Sequence, residues 1–424
     1  MSKLIQIVMR GTVDLSEYDQ FQKGTARMLR RLAKPLRGTR VMHVNATAQG
    51  GGVAELLQSQ VPFERALGLE SRWYAMDAPE SFFAITKHLH DLLQGASGSL
   101  SENDKSLYRA TNGEFASSLT RIMASFRPDV VVIHDPQPVP LIVAAAAKAP
   151  VVARLHGDLL TPNPQTMEFV RPFLAPAKKV VVSNRDYLAG MPWLPARRAA
   201  IIYPAIDPLS EKNKDLAPEV AHKILEEFGV NQTKPLIAQV SRFDPWKDPL
   251  GVIQAYYRAK NKIPDLQLVL SGLFLAHDDP EARAIFRAVQ KHAKGDRDIF
   301  LFADPRTTRQ FVADDLLVSA IYTASTLMVQ KSLREGFGLT MTEAMWKGKA
   351  VIAGATSGAK VQIKDGRTGI MVSSPEEAAR AIIETIKDET MRRRLGRAAR
   401  ESVRRRFLMP RFIADNLKLY AGLG

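Results

Sequence analysis

The sequence predicts an α/β protein made of two Rossmann-like, doubly wound domains facing across a cleft. Three observations predict it. Short runs rich in Val, Ile and Leu alternate with amphipathic stretches along the chain, the pattern of parallel strands buried on both faces and covered by helices. Many of these runs end in polar or glycine residues, as in His134-Asp135, His156-Gly157-Asp158, Ser241-Arg242 and Ser271-Gly272. Open parallel sheets bind ligands beyond the carboxyl ends of their strands. Finally, the polar segment Asp207–Leu216 reads as a linker dividing 424 residues into two near-equal halves, a length suited to two or three domains.

In the first half the expected strands are Val41–Asn45, Val130–His134, Val151–His156, Val180–Ser183 and Ile201–Tyr203. In the second they are Leu236–Val240, Leu266–Gly272, Ile299–Phe302, Leu327–Gln330 and Ala350–Gly354. Helices are expected over Pro249–Lys260 and Pro280–Lys294, in the basic segments Arg27–Arg40 and Arg392–Arg406, and over the amphipathic Pro410–Leu423. The domains are then residues 1–208 and 209–409, with residues 410–424 packing back on the first. Trp73-Tyr74 and Phe82-Phe83 read as core or cleft wall rather than a stacking platform for bases. His277-Asp278-Asp279-Pro280-Glu281 contains a pair of acids that could bind metal, but Asp before Pro reads better as a helix start.

Hydrophobic residues make up 46% and charged residues 24%, enough for a core that needs no disulfide or metal. The absence of cysteine excludes disulfides, thiol catalysis and thiolate metal sites. The apolar run Leu4–Met9 is too short for a signal peptide or anchor, and no stretch reaches the ~18 apolar residues of a membrane span. A soluble, cytoplasmic protein without membrane contact is expected. The net charge is +15 and the pI about 9.9. The excess in Arg27–Arg40 and Arg392–Arg406 reads as solvated helix faces. No basic motif interleaved with aromatics appears, so nucleic acid is not an expected partner. An anionic small substrate suits the charge.

The strongest motif is Arg334-Glu335-Gly336-Phe337-Gly338-Leu339-Thr340-Met341-Thr342-Glu343. Two glutamates separated by seven residues flank a Gly-Phe-Gly turn, between the strand-like Leu327–Gln330 and a helix-like stretch from Thr342 onward. Glycines let backbone N–H groups approach a ligand, and a helix start suits a diphosphate. Glu335 before the turn can grip sugar hydroxyls; Glu343, one turn into the helix, can grip a ribose diol. Thr340-x-x-Glu343 also matches a capping box, which explains Glu343 but not Glu335. The second motif, Ser241–Pro249, places Arg242 and Lys247 in a strand-to-helix loop. Two fixed cations there stabilise negative charge building on a departing diphosphate. The third, Gln49-Gly50-Gly51-Gly52-Val53-Ala54-Glu55, is a phosphate-approach loop or a tight turn; it lacks the Lys-Ser/Thr of a P-loop and the spacing of a dinucleotide fingerprint. In the fourth, His156 and Asp158 at a strand end are candidates for sugar binding or catalysis, beside the alternative of a structural histidine. His134 in the proline-rich loop His134-Asp135-Pro136-Gln137-Pro138 is acceptor-binding or structural.

At these residues the chain resembles retaining glycosyltransferases of the GT-B fold, through Glu335 and Glu343 with Arg242 and Lys247 upstream. A narrower resemblance spans nearly the whole chain. His43-Val44-Asn45 with Gly50–Glu55, His134–Pro138, Ile206–Asn213, Val240–Lys247, Ala276–Glu281 and Thr342–Lys349 are similar, in order and spacing, to the trehalose glycosyltransferring synthases. The resemblance implies a reaction in which nucleoside diphosphate-glucose and glucose give α,α-trehalose, reversibly and with retention. It implies catalytic roles for Arg242, Lys247, Glu335 and His156. Donor binding falls to Gly51, Gly52, Arg242, Lys247, Glu335, Gly336, Phe337, Gly338, Leu339 and Glu343, and acceptor binding to Asn45, Asp158 and His134. No metal site and no tightly bound cofactor are implied; UDP-, ADP- and GDP-glucose are open as donors, Mg2+ is a candidate stimulant and a homodimer a candidate assembly. One departure stands out: Leu159-Leu160 follow Asp158 where the family usually has a polar residue such as serine. This keeps open another acceptor, such as a polyol, glycerate or different sugar, and another donor sugar such as mannose. A non-catalytic basic binding protein is the alternative from outside enzymes.

Overall fold

The computed structural model describes residues 2–9, 11–272, 281–304, 308–309 and 312–423. Among these the chain divides into two compact units, residues 2–205 with 409–423, and residues 206–272 with 281–408.

The first unit carries a sheet of seven strands: β1 (Lys3–Ile7), β2 (Arg40–Asn45), β3 (Glu70–Asp77), β4 (Val130–His134), β5 (Val151–Leu155), β6 (Lys179–Val182) and β7 (Ala199–Ile201). Their order is β1-β3-β2-β4-β5-β6-β7, and all neighbours are parallel except β1, which runs antiparallel to β3. The second unit carries β8 (Leu236–Val240), β9 (Gln267–Ser271), β10 (Ile299–Phe302), β11 (Leu327–Gln330), β12 (Val351–Gly354) and β13 (Ile370–Val372), all parallel, in the order β10-β9-β8-β11-β12-β13. The central strands β4, β5, β8, β9, β11 and β12 are buried along their whole length, as Val/Ile/Leu runs must be when helices cover both sheet faces. Both units are Rossmann-like. In each, the strand order reverses once, between β2 and β4 in the first and between β8 and β11 in the second. A doubly wound sheet opens its ligand crevice at such a reversal; the candidate motifs follow these four strands, except His156-Gly157-Asp158, which follows β5.

Three differences from the sequence reading have physical causes. β1 and β3 were not expected as strands. β3 (ESRWYAMD) mixes charge and aromatics, yet is interior to the sheet and buries Trp73 completely. The Trp73 indole is satisfied by donating to Asn45 Oδ1 at 2.6 Å. The segment Asp207–Leu216 is not a free linker. Ile206 bridges to Leu408, buried Asn213 donates to Asp207 O at 3.0 Å, and Asn213 O accepts from the Trp346 indole at 3.1 Å. These contacts and the Lys212–Glu343 ion pair hold the segment onto the second unit. The helix after the Gly-Phe-Gly turn starts at Leu339, not Thr342, and its N-cap is Gly338, without a side-chain cap. The Thr340–Glu343 capping box is therefore not formed. Helix Pro249–Lys260 has the expected bounds, and the final helix is Met409–Ala421. Of His277–Glu281, all but Glu281 lie outside the described residues. Among the described residues no helix is long and apolar enough to cross a membrane.

Candidate functional site

In the second unit, the loops after β8 and β11 are stitched together by their polar side chains. Asp248 has a left-handed φ of 48°, and its side chain accepts the Gly251 N–H at 3.0 Å, capping helix Pro249–Lys260. A cap of this kind contributes about 0.5–2 kcal/mol. The same carboxylate pairs with Lys331, at the start of the other loop. Leu333 N–H donates to Trp246 O at 2.7 Å. Lys247 Nζ then lies 2.6 Å from Glu335 Oε2, which also accepts from Ser332 Oγ at 3.3 Å. Arg242 remains 39% exposed, with Asp244 Oδ2 at 3.7 Å. Lys247 and Glu335, candidates from two separate motifs, are thus in direct contact, and Glu335 lies against the helix start at Gly338.

That helix start is built for close approach. Gly338 has φ 86°, and a Cβ there would lie 3.0 Å from Glu335 Cγ. Gly358 donates its N–H to Glu335 O at 3.1 Å, and a Cβ on it would meet that oxygen at 2.7 Å. Phe337 turns its ring inward against Phe407, at 5.4 Å between centroids. Gln362 donates to the carbonyls of Phe337 and Gly338, and its Oε1 accepts from Thr342 Oγ1 at 2.7 Å. These contacts fix the turn's carbonyls and leave the first-turn N–H groups of Leu339 and Thr340 directed out of the uncapped end, the arrangement that favours an anion.

Glu343 departs from its expected role. Its carboxylate has no exposed surface; Oε1 pairs with Lys212 at 2.7 Å and Oε2 accepts from Tyr322 OH at 2.8 Å. It sits one turn into a buried helix face, so the folded-back segment carrying Lys212 covers it. As the chain stands, Glu343 is closed to a ribose. Neighbouring Lys347 donates to Ser319 Oγ at 2.9 Å, and burial pushes its ammonium down to about 8.

In the first unit, Gly51 (φ 108°) is the N-cap of helix Gly52–Ala66, and a Cβ on Gly51 meets nothing within 4 Å. This end of the helix is open. Three expected acceptor residues are more committed than the sequence suggests. Asn45 uses its amide internally, accepting from Trp73 and donating to Thr47 O at 2.7 Å. Asp158 is buried, and its Oδ1 accepts the Leu160 N–H at 3.0 Å. His134 has no exposed surface, and its two ring nitrogens face His43 and His156 at 3.1 Å each. An acceptor cannot touch His134 here, because β4 carries it inside the sheet. Asp135, next in the chain, holds a left-handed φ of 61° and accepts the His156 N–H at 2.7 Å. Burial, against that hydrogen bond and Arg154, pushes its carboxyl up to about 7. His156 is held well below the ordinary imidazole range by burial, then by Arg154 and His90.

Sequence reasoning did not single out Lys212, Tyr322, Lys331, Ser332, Gly358 or Gln362 in the second unit, nor Glu64, Ser71, Arg154 and Tyr420 in the first. Lys212 had a signal, since it lies in the segment Ile206–Asn213 that carried the family resemblance.

Two family models match the chain: "Trehalose synthase, N-terminal domain" over residues 43–189, and "Glycosyl transferases group 1" over residues 221–402. The trehalose synthase of Pyrococcus horikoshii is 41% identical over 393 residues, covering 92% of each chain. This chain belongs to the trehalose synthase family. A second member, from Rubrobacter xylanophilus, is 40% identical over 93% of each chain. Among solved structures, the sucrose-phosphate synthase of Thermosynechococcus elongatus superposes with a TM-score of 0.69 at 19% identity, covering 91% of this chain and 99% of its own. At that identity the likeness concerns fold, and it identifies the two Rossmann-like units as the GT-B architecture. The chain is accordingly a trehalose-related glycosyltransferase. The family models cover both switch points, His43 to His156 in the first unit and Arg242 to Glu343 in the second.

Proposed function

We propose that this chain is a retaining glucosyltransferase that moves glucose from a nucleoside diphosphate-glucose to glucose, giving α,α-trehalose, reversibly. The observation that carries the reading is the Lys247–Glu335 contact, 2.6 Å long, between two loops pinned to each other at the second unit's switch point. In this reading the diphosphate lies against Arg242, Lys247 and the uncapped N–H groups at Leu339. Charge develops on the departing phosphate oxygen, and preorganised cations there stabilise the transition state more than the ground state. Glu335 accepts hydrogen bonds from donor glucose hydroxyls, oriented by Lys247 and Ser332. The new bond forms between the donor anomeric carbon and the acceptor oxygen as the bond to phosphate breaks. The acceptor's proton passes to the departing phosphate oxygen on the same face, which retains the α configuration without a carboxylate nucleophile. His156 contacts the donor sugar. A ribose reaches Glu343 only after Lys212 releases Oε1.

The relatives at 41% and 40% identity are named trehalose synthases, which supports trehalose as the product. A specific observation favours a second reading, transfer to another acceptor: Leu160, beside the buried Asp158, is 38% exposed in the loop where the family usually has a polar residue. The experiment is release of nucleoside diphosphate from UDP-, ADP- and GDP-glucose with glucose, fructose, glycerol and glycerate in turn. Release dependent on glucose alone supports the first reading and names the nucleotide. Release dependent on another acceptor replaces it with the second. No release with any pair contradicts both.

A further inference from the structure

Four side chains of the first unit form one hydrogen-bonded row. Glu64, on helix Gly52–Ala66, closes it at the buried end. Glu64 Oε2 lies 2.9 Å from His43 Nε2, His43 Nδ1 lies 3.1 Å from His134 Nε2, and His134 Nδ1 lies 3.1 Å from His156 Nε2. His43 and His134 have no exposed surface. At the other end, His156 is half-buried, and its Nδ1 makes no hydrogen bond among the described residues. Three strands place the rings: His43 and His134 lie on β2 and β4, either side of the reversal in strand order, and His156 follows β5.

The protons in the row follow from the need for one donor and one acceptor in each bond. Glu64 also accepts from Ser71 Oγ at 2.6 Å, Gln60 Nε2 at 2.7 Å and Tyr420 OH at 3.1 Å. Burial raises this carboxyl, but His43 and the converging hydrogen bonds outweigh it and hold it below its ordinary value. Glu64 is therefore a carboxylate, and His43 Nε2 carries hydrogen. Two proton counts remain. With three protons on the three rings, each ring is the Nε2–H tautomer, and His156 Nδ1 is a lone pair. With four, one ring is an imidazolium and His156 Nδ1 is a donor; when that ring is His43, the other two rings are Nδ1–H.

Charge is not tolerated equally along the row. Burial, then Arg154 and His90, oppose it at His156; burial, then the adjacent imidazoles and Arg154, oppose it at His134. His43 alone faces a carboxylate within the row. Arg154, His90, Asp135 and Tyr420 are the other titratable groups around it. We propose that Glu64, His43 and His134 are positioning residues that form a proton relay for His156, so that a proton taken up at His156 Nδ1 ends as charge on His43 beside Glu64 while His156 stays neutral. As the N–H forms at His156 Nδ1, its Nε2 proton passes to His134 Nδ1, and the His134 Nε2 proton passes to His43 Nδ1. One proton enters, two shift, and one positive charge appears opposite Glu64. His156 can thereby accept a hydrogen bond from a sugar hydroxyl in one state and donate one in the other, without an imidazolium beside Arg154. This consequence for transfer rests on the reading that His156 contacts the donor sugar; the relay itself does not.

The test is a pH titration, without substrate, of the whole chain carrying 15N in its eight histidines. In one step His43 should become an imidazolium and His156 should change from Nε2–H to Nδ1–H. An imidazolium at His156, or an unchanged His156 tautomer when His43 protonates, overturns the relay. In Glu64→Gln the step should move about one pH unit or more to acid, a tenfold weaker proton affinity. An unmoved step in that variant, shown folded by thermal denaturation, also overturns it; if the variant does not fold, the wild-type titration decides alone. In transfer assays Glu64→Gln should shift the acid limb of kcat equally, with donor KM changed less than about twofold. Coupled switching in a chain without transferase activity would refute the donor-sugar reading and leave the relay standing. Activity without coupled switching would refute the relay alone.

Discussion

Lys247 and Glu335 stand 88 positions apart in the chain and 2.6 Å apart in space. Both were legible in the sequence, because each follows a Val/Ile/Leu run on the expected binding rim. Their mutual contact was not, since no local pattern pairs residues across β8 and β11. Replacing Lys247 or Arg242 by alanine is expected to lower kcat by on the order of 10²–10³, as for other preorganised groups facing transition-state charge. Near-normal turnover in both variants would remove the diphosphate from this site. Glu343 shows the limit of motif reading: its position after the turn was right, but the sequence could not show that Lys212 and Tyr322 enclose it. Asp135 gives a prediction in pH. Its carboxyl is pushed up to about 7 by burial, from an ordinary value of 3.8. Between those values the folded chain holds a proton that the unfolded chain has lost. Stability from this group therefore falls as pH rises from about 4 to about 7 and then levels. Asp135→Asn keeps an acceptor for the His156 N–H and removes the titration. Urea midpoints at pH 5 and pH 8 should fall further in wild type than in the variant; equal falls would show that Asp135 ionises normally.

The central strands announced themselves because burial on both faces demands unbroken Val, Ile and Leu. β1 and β3 did not, since an antiparallel edge and an aromatic, charge-bearing strand depend on their neighbours for pairing. Turns were legible through glycine but their register was not, so the helix placed from Thr342 begins at Leu339. Gly338 ties that turn to the site. An alanine there would hold a left-handed φ of 86° and press on Glu335 Cγ at 3.0 Å. Such strain costs about 1–3 kcal/mol. Gly338→Ala should thus lower kcat/KM for the donor by about tenfold, since roughly 1.4 kcal/mol corresponds to one decade. Kinetics with saturating acceptor check it, and an unchanged kcat/KM would show that the turn does not set the position of Glu335.

Across the whole molecule, the final helix Met409–Ala421 belongs with the first unit although the preceding residues of the chain build the second. It buries Phe412, Ile413, Leu417 and Tyr420, and Asn416 Oδ1 accepts from the buried Arg154 guanidinium at 3.0 Å. Tyr420 and Gln60 then share the Glu64 carboxylate, a contact 356 positions apart that no sequence pattern could show. Removing residues 409–424 would strip this core and take from Arg154 its Asn416 acceptor and the Phe412 ring, leaving it Ile202 O, a costly loss. Calorimetry of that truncation should lack the first unit's unfolding transition; an unaltered transition would show that the helix is dispensable. The bond that this glycosyltransferase makes can be followed directly. Donor labelled with 13C at the glucose anomeric carbon, incubated with unlabelled glucose, gives a product whose linkage NMR reads directly. One non-reducing disaccharide is expected, with the labelled carbon α-linked to the anomeric carbon of the acceptor. A β-configured label, a reducing product, or label on a different acceptor would contradict the proposed transfer.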